Sequence, residues 1–311
     1  MKKILCAVLA LAAMASCTKE YTIDNPKQAI AFGEAFVNNG TRADYSTDKS
    51  VSTFKVWGTV AGNYTTTPVY IFNGDEVKNT NGTTTVGYGA AWYCNNIQYW
   101  VPNADYAFTA IVDGEFAKTG DVYDYTKIPF TVADGTNNKD LLLATATARV
   151  ANDGTVTGTN IGTNSLVKFN FDHLLSKVGF TVTGNIGTGY SIKVTGITVE
   201  NVAENGIYTV GATTPWAQDG ATKTALTFGA DGTETRQILP VEQTLKVTVA
   251  YDIYYGDTQI SSATKSGTVT ETFAKNTVYN ITATITMTNE IQFTVNSVNG
   301  WNNTVVTAPL Q

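Results

Sequence analysis

The sequence predicts an all-β protein built of antiparallel sandwiches, and three observations point there. The first is a two-residue hydrophobic period. From Tyr279 to Thr288 every odd position is apolar and every even position polar, the signature of a strand with one face in a core and one in water. The second is what fills the polar positions. They are largely threonine, a β-branched residue suited to an exposed pleat. The third is punctuation by ten Asx-Gly pairs, among them Asn73-Gly74, Asp113-Gly114, Asn205-Gly206 and Asn299-Gly300. Such pairs tolerate positive φ and close hairpins. Many short strands separated by turns favour sandwiches over alternating strands and helices. There is no convincing long amphipathic helix. Residues 140–148 have some helical character, but Leu141-Leu142-Leu143 is short and a Thr/Ala alternation follows it.

Taken along the chain, Phe54 to Trp57, Val69 to Phe72, Tyr106 to Val112, Leu141 to Ala146 and Val167 to Phe171 read as strands. Val178, Phe180 and Val182 give another. Tyr190, Ile192 and Val194 give the next, and its phase flips after Gly196 to Ile197 and Val199, which predicts a bulge. Leu245, Val247 and Val249 keep one phase through Tyr251, Ile253 and Tyr255. The stretches after Gly62 and around 79–89, 114–121 and 151–164 are rich in Gly, Thr and Asn and read as loops. At roughly 100–200 residues per domain, 311 residues predict two domains. The boundary is placed near Leu175, giving domains 43–174 and 175–311.

Composition narrows the chemistry. Charged residues make up only 15% of the chain, yet 43% apolar content can build a core. One histidine and three cysteines exclude most zinc sites, haem ligation and any catalytic pair of histidines. An acidic pI of about 4.9 argues against a nucleic-acid partner. The sequence contains no HExxH, no glycine-flanked serine elbow and no phosphate-binding loop, so no cofactor and no catalytic residue is assigned. His173 sits in an apolar segment and reads as structural. Asp121 with Asp124, and Asp113 with Glu115, are the nearest acid pairs; paired acids in loops are common, and these do not define a glycosidase site.

The first residues read as an address. Lys2 and Lys3 precede an apolar run from Ile4 to Ala15, too short to span a bilayer as a mature helix. It ends at Met14-Ala15-Ser16-Cys17, which resembles a bacterial lipobox. Residues 1–16 are then a signal peptide, and Cys17 becomes the acylated N-terminus. Two or three acyl chains give stable anchoring where one is marginal. Lys19-Glu20 resembles a surface-export signal of some anaerobes' lipoproteins. Cys6 leaves with the signal, so Cys94 is the one cysteine left for the folded body and no intramolecular disulfide forms. Losing Lys2 and Lys3 leaves 18 basic against 26 acidic residues, a net charge of −8.

Further residues carry a family resemblance. Val167-x-Phe169-x-Phe171-Asp172-His173-Leu174-Leu175-Ser176-Lys177-Val178 resembles a segment of the fimbrillin family, the type V pilin and fimbrillin-like lipoproteins of gut and oral anaerobes. Other elements agree in order. They are the lipobox, a strand with Ile30 and Phe32, Thr41-Arg42-Ala43, Tyr99-Trp100-x-Pro102, Asp140-Leu141-Leu142, Phe273-x-x-Asn276-x-x-Tyr279-x-Ile281, Ile291-x-Phe293-x-Val295 and Trp301. The resemblance covers essentially the whole mature chain. It implies two tandem transthyretin-like β-sandwiches in a subunit that reaches the outer membrane as a lipoprotein. A trypsin-like protease then cuts after an arginine, here Arg42, leaving Ala43 as the new N-terminus. Loss of the first strand opens a groove, which the C-terminal segment of another subunit fills, and repetition builds a surface pilus.

The residues fit that scheme. The removable segment is 17–42, in which Ile30, Phe32 and Phe36 are expected to share one face with Glu34 as the exception. Residues 291–310 offer apolar positions for donation, with Val305, Val306 and Leu310 near the end and Pro309 limiting further pairing. The partners implied are other pilin subunits, the processing protease, the outer membrane through the lipid anchor, and a host or bacterial surface ligand. Two other readings stay open. One is an anchor or non-polymerising surface lipoprotein. The other is a carbohydrate-binding lipoprotein using Trp92, Tyr93, Tyr99 and Trp100, although tryptophan is more often buried.

Overall fold

The computed structural model describes residues 28–37, 51–62, 65–79, 92–230, 234–287 and 291–299. Its regular structure is strand, apart from two single 3-10 turns. The first eleven strands are β1 (Phe32–Val37), β2 (Thr53–Gly62), β3 (Thr65–Asn79), β4 (Trp92–Cys94), β5 (Ala104–Val112), β6 (Ala117–Thr119), β7 (Val122–Asp124), β8 (Lys127–Thr131), β9 (Leu142–Val150), β10 (Val156–Thr159) and β11 (Val167–His173). There follow β12 (Ser176–Asn185), β13 (Tyr190–Ala203), β14 (Asn205–Thr209), β15 (Trp216–Gln218), β16 (Lys223–Phe228), β17 (Thr235–Ile238), β18 (Glu242–Tyr255), β19 (Thr258–Thr272), β20 (Thr277–Thr286) and β21 (Ile291–Asn299). Every strand segment named from the alternation overlaps one of these strands, with Leu141 just before β9 and Met287 just after β20. The loops at 114–121 and 151–164 contain the short strands β6 and β10, and residues 140–148, with some helical character in sequence, instead run into β9 from Leu142.

In the first half an eight-stranded sheet runs β1-β11-β9-β5-β2-β3-β4, with β10 pairing β9. The second half holds two four-stranded sheets, β17-β12-β20-β21 and β16-β13-β18-β19. The β13–β18 ladder shifts between Val194 and Gly196, where the sequence changes phase. Two ladders depart from the antiparallel expectation: β1 runs parallel to β11, and β12 parallel to β20. Both join segments far apart in sequence, so no tight hairpin dictates their direction.

Alternation places the core. In β20 the odd positions Tyr279, Ile281, Ala283 and Ile285 are buried, and Leu245, Val247, Val249 and Tyr251 of β18 are buried likewise. One apolar cluster lies within the eight-stranded sheet around Phe54, Phe72, Phe108 and Phe169. A second fills the later sheets and extends back to Trp57, Ile111, Ile128 and Leu141. The small sheet β15-β14-β8 makes that extension, because Ile128 in β8 registers with Tyr208 in β14. Pro129 is confined to this edge strand, as a residue without an N–H must be. Trp216 Nε1 donates to Leu174 O at 2.7 Å, and Ser176 Oγ donates to Ala274 O at 2.7 Å. Buried His173 meets Asp140 Oδ2 through Nδ1 at 2.9 Å, so the single histidine braces β11 against the start of β9.

Asp134, between β8 and β9, reaches β16 and β17. Its carboxylate accepts from Thr227 N at 3.0 Å, from the Thr227 hydroxyl and from Arg236 Nε at 3.3 Å. Partial burial pushes the Asp134 carboxyl up, but these donors outweigh it and hold the group below its ordinary 3.8. A carboxylate lowered on folding stabilises the fold above its unfolded value, and that stability is lost as pH falls through the folded one. Asp134→Asn should therefore lower the melting temperature at neutral pH, by the equivalent of about 1–3 kcal/mol. The gap from wild type should close as pH falls below about 4. Thermal melts across pH check both; a constant gap would mean that the charge of Asp134 is irrelevant.

Candidate strand-binding groove

The first strand occupies a slot between two edges of the same sheet. On one side, Val167 N donates to Ala31 O at 2.9 Å and the β1–β11 register runs from Phe32 opposite Val167 to Val37 opposite Phe171. On the other side, Ile30 N donates to Gln98 O at 2.8 Å, Trp100 N donates to Gln28 O at 3.0 Å, and Ala29 bridges Tyr99. Residues 28–37 thus link β11 to the segment that follows β4, and on each edge they satisfy backbone groups open to strand pairing. Gln28 also ties the slot to the turn before β11: its Nε2 donates to Asn164 O at 2.8 Å.

The floor of the slot is aromatic. Phe32 is 6% exposed and Ile30 7%. The Phe32 ring lies 5.3 Å from Phe72, 6.0 Å from Phe169, 6.2 Å from Phe54 and 6.4 Å from Phe108, mostly edge to face. Trp100 closes the end through contacts with Tyr106 at 4.8 Å and Phe108 at 6.0 Å. Gly33 lies against Leu166, whose Cδ1 would be 3.2 Å from an added Cβ, so a side chain there would have to displace it.

The expected face of this strand needs correction. The register advances from Gly33 to Ala35 in β1 while β11 advances only from Lys168 to Phe169. This extra residue is a bulge, and it inverts the alternation beyond it. Ala35, opposite Phe169, is buried, Val37 packs against the same core, and Phe36 is half-buried opposite exposed Asn170. Ile30 and Phe32 therefore share the inward face with Ala35, and Phe36 lies on the other side. A period-two reading with one exception at Glu34 has no means of showing an inserted residue.

The groove's second wall, residues 98–100, was not assigned from sequence. The Tyr99-Trp100-x-Pro102 motif marks the place, but nothing local to it encodes pairing with Ala29. Cys17, Arg42, Ala43, Val305, Val306 and Leu310 lie outside the described residues. Residues 291–299 form β21, which pairs with β20 of its own chain from Ile285–Ile291 to Thr277–Asn299. In the aromatic stretch, Trp100 is buried and Trp92 packs against the core, while Tyr93 and Tyr99 are exposed. The acid pairs are engaged: Glu115 with Lys55, Asp121 with Lys118 and Asp124 with Lys127. Asp113 and Glu115 border a cleft of about 390 Å³ that also includes Lys139. Among the described residues no group of His, Cys, Asp or Glu is placed to hold a metal ion, and no helix is long and apolar enough to cross a membrane.

A family model described as fimbrillin-like matches residues 41–301. No curated protein matches the chain in sequence. Among solved structures, a candidate cell adhesion protein of Bacteroides uniformis aligns with a TM-score of 0.53 at 14% identity, over 87% of this chain and 97% of that one. A candidate cell adhesion protein of Bacteroides ovatus aligns with a TM-score of 0.53 at 14% identity, over 89% of this chain and 99% of that one. At such identity the likeness concerns the fold.

The corrected face makes a measurable difference. Phe32→Ala in the uncleaved chain should cost about 3–5 kcal/mol, because it empties the centre of a ring cluster. Phe36→Ala should cost less than half as much. Denaturant unfolding of both variants decides it, and equal losses would restore the uninterrupted face.

Proposed function

From the premise that this chain belongs to the fimbrillin-like family, we propose that it is made as a lipoprotein precursor and polymerises by exchanging its first strand for a strand of another subunit. Family membership makes it a pilus-type adhesion subunit: a structural protein, not an enzyme, displayed at the cell surface and associating with other pilin subunits. The finer steps are our reading. Residues 1–16 are removed and Cys17 is acylated, anchoring the precursor in the outer membrane. A trypsin-like protease cuts between Arg42 and Ala43, which releases residues 17–42 and with them β1. The terminal segment carrying Val305, Val306 and Leu310 then enters the vacated slot of a neighbouring subunit. Residues 43–174 and 175–311 act as the two sandwich units of the mature subunit.

The observation that supports this reading is the seat of β1. It is held by backbone hydrogen bonds on both sides and buries a few apolar side chains over a ring-lined floor. Its departure leaves unpaired backbone groups at Val167 and Trp100 beside exposed Phe54, Phe72 and Phe169. Those are the two requirements of strand addition: main-chain bonds for affinity and pockets for alternate side chains. A donor that fills its neighbour's groove while its own groove takes another donor makes a heterologous contact that does not close, hence a filament.

Two variants test the steps separately. Arg42→Ala should leave a folded, lipid-anchored monomer and abolish ladders of surface polymer. Deletion of 304–311 should allow cleavage but block addition to the next subunit. Persistence of ladders after both changes would refute exchange through these segments. An anchor subunit, the second reading, would keep residues 17–42 even when the protease is active.

A further inference from the structure

The outer side of β3 carries an ordered array of amides, a carboxylate and tyrosines that the strand-exchange reading does not use. Tyr70 stacks on Tyr125 with ring centroids 3.9 Å apart and planes 19° apart. Tyr125 is fixed from below by Phe116 at 5.7 Å and Tyr123 at 5.9 Å, so Tyr70, 39% exposed, is the outer member of the stack. The Tyr125 hydroxyl donates to Asn73 Oδ1 at 3.1 Å. Asp75 Oδ2 accepts from Asn73 N at 2.8 Å and from Asn96 Nδ2 at 3.2 Å. Asn96 Nδ2 also donates to Ile71 O at 2.8 Å, and Gln98 Nε2 donates to Asn96 Oδ1 at 2.6 Å. Tyr70, Asn73, Asp75, Asn96 and Gln98 thus lie along one strip: Tyr125 holds the Tyr70 ring and the Asn73 amide, the Asn73 backbone N–H and the Asn96 amide hold Asp75, and Gln98 bonds to Asn96.

We propose that this strip is a binding site for a neutral glycan. A pyranose ring has an apolar face, which packs on an accessible aromatic ring, and a rim of hydroxyls, each both donor and acceptor. Planar amides and a carboxylate held in place by mutual hydrogen bonds meet such a rim with little ordering cost. Burial, with the neighbouring Tyr125, pushes the Tyr70 hydroxyl above the ordinary phenol range, so it remains a donor throughout the physiological span. The net charge of the chain is −6 and the strip's one carboxylate is Asp75, so sialylated or sulfated sugars are disfavoured. The strip shares Gln98 with the wall of the β1 groove, yet Tyr70, Asn73 and Tyr125 make no contact with β1 among the interactions above. Glycan binding therefore goes beyond the assembly reading and does not depend on it.

The test uses the uncleaved full chain, so failure to polymerise leaves it unaffected. Affinity electrophoresis is run through native gels containing amylopectin, galactomannan, xyloglucan or arabinoxylan, with heparin as a polyanionic control. At least one neutral polysaccharide should retard the protein. Tyr70→Ala and Asn73→Ala should each weaken that retardation roughly tenfold. Tyr255→Ala, at the far turn between β18 and β19, should leave it unchanged. Thermal melts confirm that the variants fold, and Tyr70→Phe, which keeps the ring, should retain most of the binding if one variant does not fold. Absence of retardation by every neutral polysaccharide overturns the proposal. So does retardation that survives both alanine changes, or retardation by heparin alone that disappears with salt.

Discussion

The constraint on which the rest depends is that the eight-stranded sheet has two edges in need of a strand, and β1 serves both. Val167 and Trp100 donate from opposite sides to the carbonyls of Ala31 and Gln28 that lead into it, while Phe32 occupies the middle of a cluster of four other phenylalanines. A buried backbone amide without a partner is costly, and an emptied aromatic pocket is costlier. In the exchange we propose, the sheet would lose β1 only as another strand took its place.

The bulge at position 34 makes this seat specific. It puts Ile30, Phe32 and Ala35 on the buried side, where an uninterrupted strand would have placed Phe36 with Phe32. On the exchange we propose, a replacement strand would have to match the spacing of the pockets but not this irregularity. A regular donor would place its apolar residues at strict alternation, and the bulge would then belong to the precursor alone.

The second half of the molecule bears on the groove from a distance. Its core continues through Ile128 and Leu141 to Trp57, on the reverse side of the sheet that β1 completes. β8 pairing with β14, Trp216 bonding to Leu174, and Asp134 held by Thr227 and Arg236 fasten this continuity.

Much of this was legible in the sequence, and for physical reasons. Alternation reports the burial of a strand's faces, so Tyr279–Ile285 and Leu245–Tyr251 announced both strand and core side. The change of phase at Gly196 announced a bulge because glycine there was flanked by clear alternation. The bulge at position 34 was hidden, since Ile30, Phe32 and Phe36 already fitted a period of two with one exception. Non-local pairing was hidden as well: no residue in Gln98–Trp100 encodes its partner Ala29, and the parallel direction of β1 against β11 is set by the fold as a whole. The tyrosine stretch was noticed, but its inner tryptophans belong to the core, and the exposed array on β3 draws on Asn73 and Tyr125, far from it in sequence. The central claim, that β1 is temporary, is tested most directly by the N-terminal residue of this chain in sheared surface polymer. The account predicts Ala43; acylated Cys17 on every copy would contradict it.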